Sequence, residues 1–145
     1  MTSMTSTDST RPVSARAIRS FAALTGVTAL LILLQAVTAG EFVSQEGRES
    51  WIAVHSIVSN VTLVVALVVA IFTVVVFRSG HRVLMWASSA LFVLLLTQTV
   101  LGHLITDAKQ DGWIAVHVPV ALIVFGLTVW LSIRAVTLRQ GSSPE

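Results

Sequence analysis

The residues best suited to chemistry in this sequence are two histidines, His55 and His117, which end two copies of one motif. The pentapeptide Trp-Ile-Ala-Val-His spans 51–55 and recurs, letter for letter, at 113–117. Neutral imidazole is a common ligand of transition metals, and a pair of imidazoles can serve as the two axial ligands of a haem iron. The pair therefore predicts either a bis-histidine haem site or a structural polar contact between helices.

The match between the two halves extends beyond the pentapeptide. Gly40 aligns with Gly102 without a gap, and one inserted residue beyond these glycines brings Gln35 into line with Gln98. Self-similarity of this kind is the signature of an internal repeat. We predict a tandem duplication of a two-helix unit, with one histidine at the same depth in each half.

The composition predicts that the repeat lies in a membrane. Of the 145 residues, 54% are hydrophobic and 11% are charged, and the mean hydropathy is +0.86. A bilayer span needs about 20 largely apolar residues. Four stretches meet this length, at about 20–40, 51–77, 83–102 and 113–134. The transmembrane domain is then 20–138, between a disordered cytoplasmic tail at 1–19 and a second cytoplasmic tail at 139–145.

A cleaved signal peptide is the alternative for the first stretch. Val37-Thr38-Ala39 resembles the site at which such peptides are removed. Cleavage there would leave the first repeat with one helix fewer than the second. The duplication therefore favours a retained helix.

The positive charges predict the orientation in the membrane. Seven of the nine Arg and Lys residues flank one end of the predicted spans, at Arg11, Arg16, Arg19, Arg78, Arg82, Arg134 and Arg139. Cytoplasmic flanks are enriched in these residues, so both termini should face the cytoplasm. The preference for arginine over lysine, with abundant alanine and valine, is typical of a high-GC bacterium and places the chain in a bacterial plasma membrane.

Several classes of function are disfavoured. The chain has no cysteine, which excludes disulfides and thiolate metal sites. The four apolar stretches lack the acidic or basic relay of a proton-coupled pump. Phosphate loops, nucleophile motifs and the basic, aromatic-rich stripe of a nucleic-acid binder are also missing. These absences favour a protein without enzymatic activity but leave that question open. The lipid bilayer is the expected partner, and the sequence does not decide between membrane proteins and further copies of itself as others.

The short connections predict an all-α fold, an up-down-up-down four-helix transmembrane bundle made of two tandem two-helix repeats. The connection at 78–82 makes the second and third helices antiparallel neighbours, so the second and fourth lie on a diagonal. Small and polar residues follow each histidine at helical spacing and turn both histidines inward. Gln35 and Gln98 join them in one polar layer. Trp51 and Trp113 belong in the aromatic belt just outside it.

The functional interpretation of this layer is haem b held between the two histidines. A bundle diagonal of roughly 13 Å is filled by two imidazoles and two iron–nitrogen bonds. The propionates would accept hydrogen bonds from Gln35, Gln98, Trp51 and Trp113. Such a protein would serve in electron transfer, haem handling or redox sensing. The alternative is a structural or accessory membrane protein whose hydrogen-bonded His/Gln layer fixes the helix register. The residues alone support both interpretations.

The pattern also resembles known families. Four spans, with one histidine near the outer start of the second helix and another in the same place on the fourth, resemble one four-helix half of haem A synthase. The resemblance implies haem ligation by His55 and His117, although this chain has a single unit and no cysteine-bearing outer loop. The Leu34-Gln35…Ala39-Gly40 stretch and the following Trp51…His55 are more similar still to an uncharacterised family of small four-helix bacterial membrane proteins. That similarity covers most of 20–138 and brings no assigned activity.

The two halves differ beside their histidines. Polar residues follow His55, namely Ser56, Ser59 and Asn60, whereas Val118, Pro119 and Val120 follow His117. A side-chain partner on the second ring nitrogen commonly fixes the tautomer of a ligating histidine. We therefore expect His117 to be the weaker ligand if haem is bound.

Overall fold

Four long helices account for most of the described chain. The computed structural model describes residues 13–44, 48–78 and 80–141. Its elements are α1 (Ala15–Ser44), α2 (Arg48–Phe77), α3 (Arg82–Thr106), a 3-10 turn (Asp111–Trp113) and α4 (Ile114–Gly141). No strand occurs among the residues described. The predicted all-α fold with four helices is confirmed.

The helices extend beyond the apolar stretches that predicted them. α1 begins at Ala15, so 15–19 are helical although we predicted them in the disordered tail. The last residues of α4, 139–141, were likewise predicted in a tail. Ser14 explains the early start of α1, because its Oγ accepts a hydrogen bond from the N–H of Ala17 at 3.2 Å, as an N-cap residue does. The rest of the two predicted tails, 1–12 and 142–145, lies outside the described residues.

All four helices are long and apolar enough to cross a membrane. Many of their large apolar side chains point away from the bundle; Leu30 and Leu122, for example, are 67% and 69% exposed. A continuous apolar surface of this kind is unfavourable in water and is satisfied by lipid tails. The helices fit a multi-pass membrane protein embedded in a lipid bilayer.

The helices form a closed antiparallel bundle in which each packs against two others. Contacts join α1 to α2, α2 to α3, α3 to α4, and α4 back to α1. Within the described part of the chain, no Cα of α2 lies within 8 Å of α4, and none of α1 lies within 8 Å of α3. The second and fourth helices therefore occupy one diagonal, as predicted.

Because the helix directions alternate, the described carboxylates lie at one end of the bundle and most of the arginines at the other. The end at which α1 and α3 finish and α2 and α4 begin is called the histidine end. It carries the described carboxylates Glu41, Glu49, Asp107 and Asp111. The opposite end is called the arginine end. It carries Arg16, Arg19, Arg78, Arg82, Arg134 and Arg139. Which end faces the cytoplasm stays a prediction.

The close-packed core lies in the half of the bundle nearer the arginine end. The side chains there with no exposed surface include Phe21, Phe77, Leu131 and Ala135. The rings of Phe21 and Phe77 meet edge to face with their centroids 5.3 Å apart. Nearer the histidine end the packing is looser, since the first fully buried residue along α2 is Thr62 and along α4 is Val124. Both histidines of the repeated motif lie in this looser half.

Candidate functional site: a cavity between two histidines

His55 and His117 border the same internal space from opposite corners of the bundle. One cavity of about 290 Å³ lies towards the histidine end. A second, of about 470 Å³, lies between α1 and α4. Both histidines line both cavities, together with Ser59 and Gln98. The structure thus brings both histidines and both glutamines of the predicted polar layer to the second cavity, whereas the first is lined by Gln98 but not by Gln35.

The two glutamines make the same contact in each half of the chain. Nε2 of Gln35 donates a hydrogen bond to the backbone carbonyl oxygen of His55 at 3.0 Å. Nε2 of Gln98 donates to the backbone carbonyl oxygen of His117, also at 3.0 Å. Each bond ties one helix to the next, α1 to α2 and α3 to α4, at the level of the histidine. Polar contacts between helices in lipid fix register in this way.

A threonine of α1 contacts the His55 ring. Thr38 is buried, with 1% of its surface exposed, and its Oγ1 lies 2.9 Å from Nδ1 of His55. The same hydroxyl donates to the backbone carbonyl oxygen of Gln35 at 3.0 Å. A hydroxyl has one proton, and a carbonyl oxygen can only accept. Both contacts are hydrogen bonds only when Nδ1 of His55 carries the proton and donates to Thr38.

His117 lacks this support among the described residues. Its Nδ1 is buried and has no hydrogen-bond partner there. The two rings thus differ in their Nδ1 partners, although not through the residues considered in the sequence; that His117 is the weaker ligand stays a prediction. The Nδ1 partner of His55 comes from the neighbouring helix α1 rather than from the polar residues that follow His55 on α2. One of these, Ser59, instead places its hydroxyl 3.3 Å from that of Thr99 on α3.

The two tryptophans are not brought to the histidines. Neither Trp51 nor Trp113 lines either cavity. Nε1 of Trp113 donates to the side-chain oxygen of Gln110 at 2.9 Å, in the segment between α3 and α4. This contact engages the only hydrogen-bond donor of the Trp113 side chain, which we expected to bind a propionate.

The second cavity has apolar walls and reaches the lipid-facing surface. Its α1 and α4 walls are built from Ile32, Leu33, Ala36, Ala121, Leu122 and Phe125. Leu33 and Leu122 are 48% and 69% exposed, so the gap between α1 and α4 opens sideways.

Charged groups surround the mouth of the first cavity, at the histidine end. Arg48, the first residue of α2, lines it, as does His103 of α3. Nδ1 of His103 lies 2.8 Å from Oδ2 of Asp107, and the Thr106 hydroxyl donates to Oδ1 at 3.0 Å. These hydrogen bonds, that of His103 first, hold the pKa of Asp107 below its ordinary value. The lining of the mouth therefore includes the charged guanidinium of Arg48.

The donor set of the site fits haem iron better than a bare metal ion. Within the described chain, no group of three or more His, Cys, Asp or Glu side chains is placed to hold a metal. A bare zinc ion takes at least three protein ligands. Haem iron receives four nitrogens from its own macrocycle and needs two axial ligands at most. The two imidazoles that line the same cavities match that number of ligands.

Two site residues were not predicted from the sequence. Thr38 was considered only as part of a sequence resembling a cleavage site, and Arg48 was not singled out. Thr38 lies three residues after Gln35. Since residues three apart share a helix face, this spacing was the signal that could have found it.

Comparisons with protein-family models, with curated proteins and with solved structures gave no match for this chain. The resemblance to haem A synthase stays an expectation from the sequence. The function of the chain is therefore inferred from its two histidines and the cavities that they share.

Proposed function

We propose that this membrane protein binds one haem b between His55 and His117 and serves in electron transfer, haem handling or redox sensing. The observation that carries the proposal is that both imidazoles line the same two cavities from helices on a diagonal. His55 would hold the haem iron from α2 and His117 from α4, since helices on a diagonal of a bundle lie across its interior from each other. Duplication of a two-helix unit would produce the symmetric pair of histidines in one step.

The surrounding residues would have separate roles in this site. Gln35 and Gln98 hold the α2 and α4 backbones at the level of the histidines. Thr38 orients the ring of His55. The apolar walls between α1 and α4 keep water from the centre. A haem bound there would supply a one-electron iron couple, whose potential depends on the axial ligands and on the exclusion of water.

Arg48 is better suited than the predicted donors to hold propionates. Its side chain lines the cavity at the histidine end, and a guanidinium binds a carboxylate through two parallel N–H bonds. Nε2 of each glutamine already donates to a histidine carbonyl, and the two tryptophans line neither cavity. Arg48 is therefore a cation to be added to the propionate-binding residues that we predicted from the sequence.

Absorption spectroscopy of purified protein tests the proposal. We expect protein from haem-replete cells to show a sharp α band in the reduced-minus-oxidised spectrum, and His55→Leu and His117→Leu each to lose it. His81→Leu is the matched control, because His81 lies at the arginine end and lines neither cavity. The proposal is overturned if the wild type has no such band with haem supply shown to be adequate.

A structural role is the second candidate, and the paired glutamine contacts favour it. Both glutamines bind backbone carbonyls, so their function does not require an imidazole at either position. If the layer serves only to fix helix register, His55→Leu and His117→Leu will leave stability nearly unchanged and no chromophore will be lost. Gln35→Leu would then be the more damaging substitution.

A further inference from the structure

A third cavity, at the arginine end, differs in chemistry from the two beside the histidines. It has a volume of about 480 Å³ and lies between the start of α3 and the end of α4. Its polar wall contains His81 and Arg82 on the α3 side and Trp130, Arg134 and Thr137 on α4. We call it the basic cavity.

The two guanidinium groups of the basic cavity have no carboxylate partner among the described residues. Every described Asp and Glu lies at the histidine end, more than 20 residues from Arg82 along α3 and from Arg134 along α4. Twenty residues of helix are about 30 Å long at 1.5 Å per residue. The positive charge of Arg82 and Arg134 is therefore left for a ligand to neutralise.

Aromatic contacts hold the polar side chains of this cavity in place. The guanidinium carbon of Arg134 lies 5.4 Å from the centroid of the Trp130 ring, a cation–π contact. The ring of His81 meets that of Phe77 edge to face, with centroids 5.5 Å apart. A site whose side chains are already ordered loses less conformational entropy when a ligand binds.

The basic cavity continues into an apolar, lipid-facing surface. Leu84 and Leu138 complete its wall. Val83, which also lines it, is 67% exposed, and Trp86, one helical turn further along α3, is 68% exposed. A soluble anion would make no favourable contact with this apolar surface. A molecule with an anionic head and apolar chains would contact both the basic cavity and the apolar surface beside it.

We propose that the basic cavity binds the phosphate headgroup of an anionic phospholipid. Arg82 and Arg134 would contact the phosphate, and the acyl chains would lie along the exposed apolar faces of α3 and α4. Basic pockets between transmembrane helices bind anionic lipid headgroups in this way. The site is separate from the histidine cavities and does not depend on haem binding.

Native mass spectrometry of the full-length protein tests this proposal. The protein is extracted from vesicles of equal parts phosphatidylglycerol and phosphatidylcholine, and the retained lipid is counted for each variant. We expect selective retention of phosphatidylglycerol by the wild type. The double variant Arg82→Gln, Arg134→Gln should bind it about a hundredfold more weakly, since each direct hydrogen bond between a guanidinium and the phosphate contributes about tenfold.

The matched control is the double variant Arg16→Gln, Arg19→Gln. It removes the same charge from the same end, but neither residue lines the basic cavity. Equal losses in the two double variants would overturn the proposal, because the attraction would then be to the charged surface as a whole. Displacement of phosphatidylglycerol by millimolar inorganic phosphate would also overturn it, in favour of a site for free phosphate. Arg134→Lys keeps the positive charge and serves as a second variant if the Gln variant misfolds. The Arg134→Lys protein should retain most of the lipid.

Discussion

Thr38 and Leu101 hold equivalent positions, three residues after Gln35 and Gln98, yet only Thr38 offers a hydroxyl to a histidine. Its Oγ1 contacts Nδ1 of His55, whereas Nδ1 of His117 is buried without a described partner. With a proton on Nδ1, a neutral His55 carries its lone pair on Nε2 and can offer that nitrogen to iron. The two histidines therefore differ in the partner of Nδ1 among the described residues.

Removal of the Thr38 hydroxyl should allow His55 to populate both of its neutral tautomers. Valine has nearly the shape of threonine but cannot accept the Nδ1–H bond. In ¹⁵N spectra of histidine-labelled protein without haem, we expect His55 to be protonated at Nδ1 in the wild type and to become a mixture of tautomers in Thr38→Val. Thr38→Ser, which keeps the hydroxyl, should restore the wild-type spectrum. An unchanged His55 signal in Thr38→Val would show that the Thr38 hydroxyl does not determine the tautomer of His55.

A hydroxyl added at position 101 should fix the tautomer of His117. Leu101→Thr places a hydroxyl three residues after Gln98, where it can accept from Nδ1 of His117. We expect the ¹⁵N signals of His117 to move towards the Nδ1-protonated pattern of His55. Leu101→Val is the control, because it shortens the buried side chain without adding a polar atom. If Leu101→Thr and Leu101→Val give the same His117 spectrum, the two positions are not equivalent.

The two glutamines should contribute unequally to stability. Each interhelical bond of this kind contributes about 0.6 kcal/mol on average and up to about 1.7 kcal/mol. Oε1 of Gln98 is buried without a described partner, so Gln98→Leu also removes an unsatisfied polar atom, which offsets part of the loss. We expect Gln35→Leu to lower the free energy of unfolding more than Gln98→Leu does, as measured by unfolding in mixed detergent micelles. The opposite order would mean that Oε1 of Gln98 is satisfied, for example by water.

The orientation predicted from the arginines has a direct test. A reporter fused after Glu145 and one inserted between Ser79 and Gly80 should both be cytoplasmic, because both positions belong to the arginine end. A reporter inserted near Glu46 should be external. A cytoplasmic reporter near Glu46 would show that the bundle is inverted in the membrane.

The number of helices and their diagonal arrangement could be predicted because both depend on local features. An apolar stretch of sufficient length becomes a span, and a short connection such as 78–82 makes its two helices neighbours. The helix ends could not be predicted from hydropathy. Backbone hydrogen bonds continue past the apolar stretch, and α1 begins where Ser14 can cap it.

The polar layer of the site could be predicted from helical spacing, which places His55, His117, Gln35 and Gln98 at similar depth. The partners within the layer could not, because they depend on how each helix is rotated about its axis. That rotation brings Thr38 of α1 to the His55 ring. It also leaves Trp51 and Trp113 away from both cavities, although their depth in the membrane made them reasonable partners for a ligand.

The ligand state of the iron in haem-loaded protein tests the central claim most directly. Low-temperature electron paramagnetic resonance of the oxidised protein distinguishes low-spin iron with two imidazole ligands from high-spin iron that has lost one. We predict a low-spin spectrum for the wild type and for His81→Leu, and its loss in both His55→Leu and His117→Leu. Less haem should remain in His55→Leu than in His117→Leu. A protein that takes up no haem, or a low-spin spectrum that survives either substitution at 55 or 117, would contradict haem binding between these two histidines.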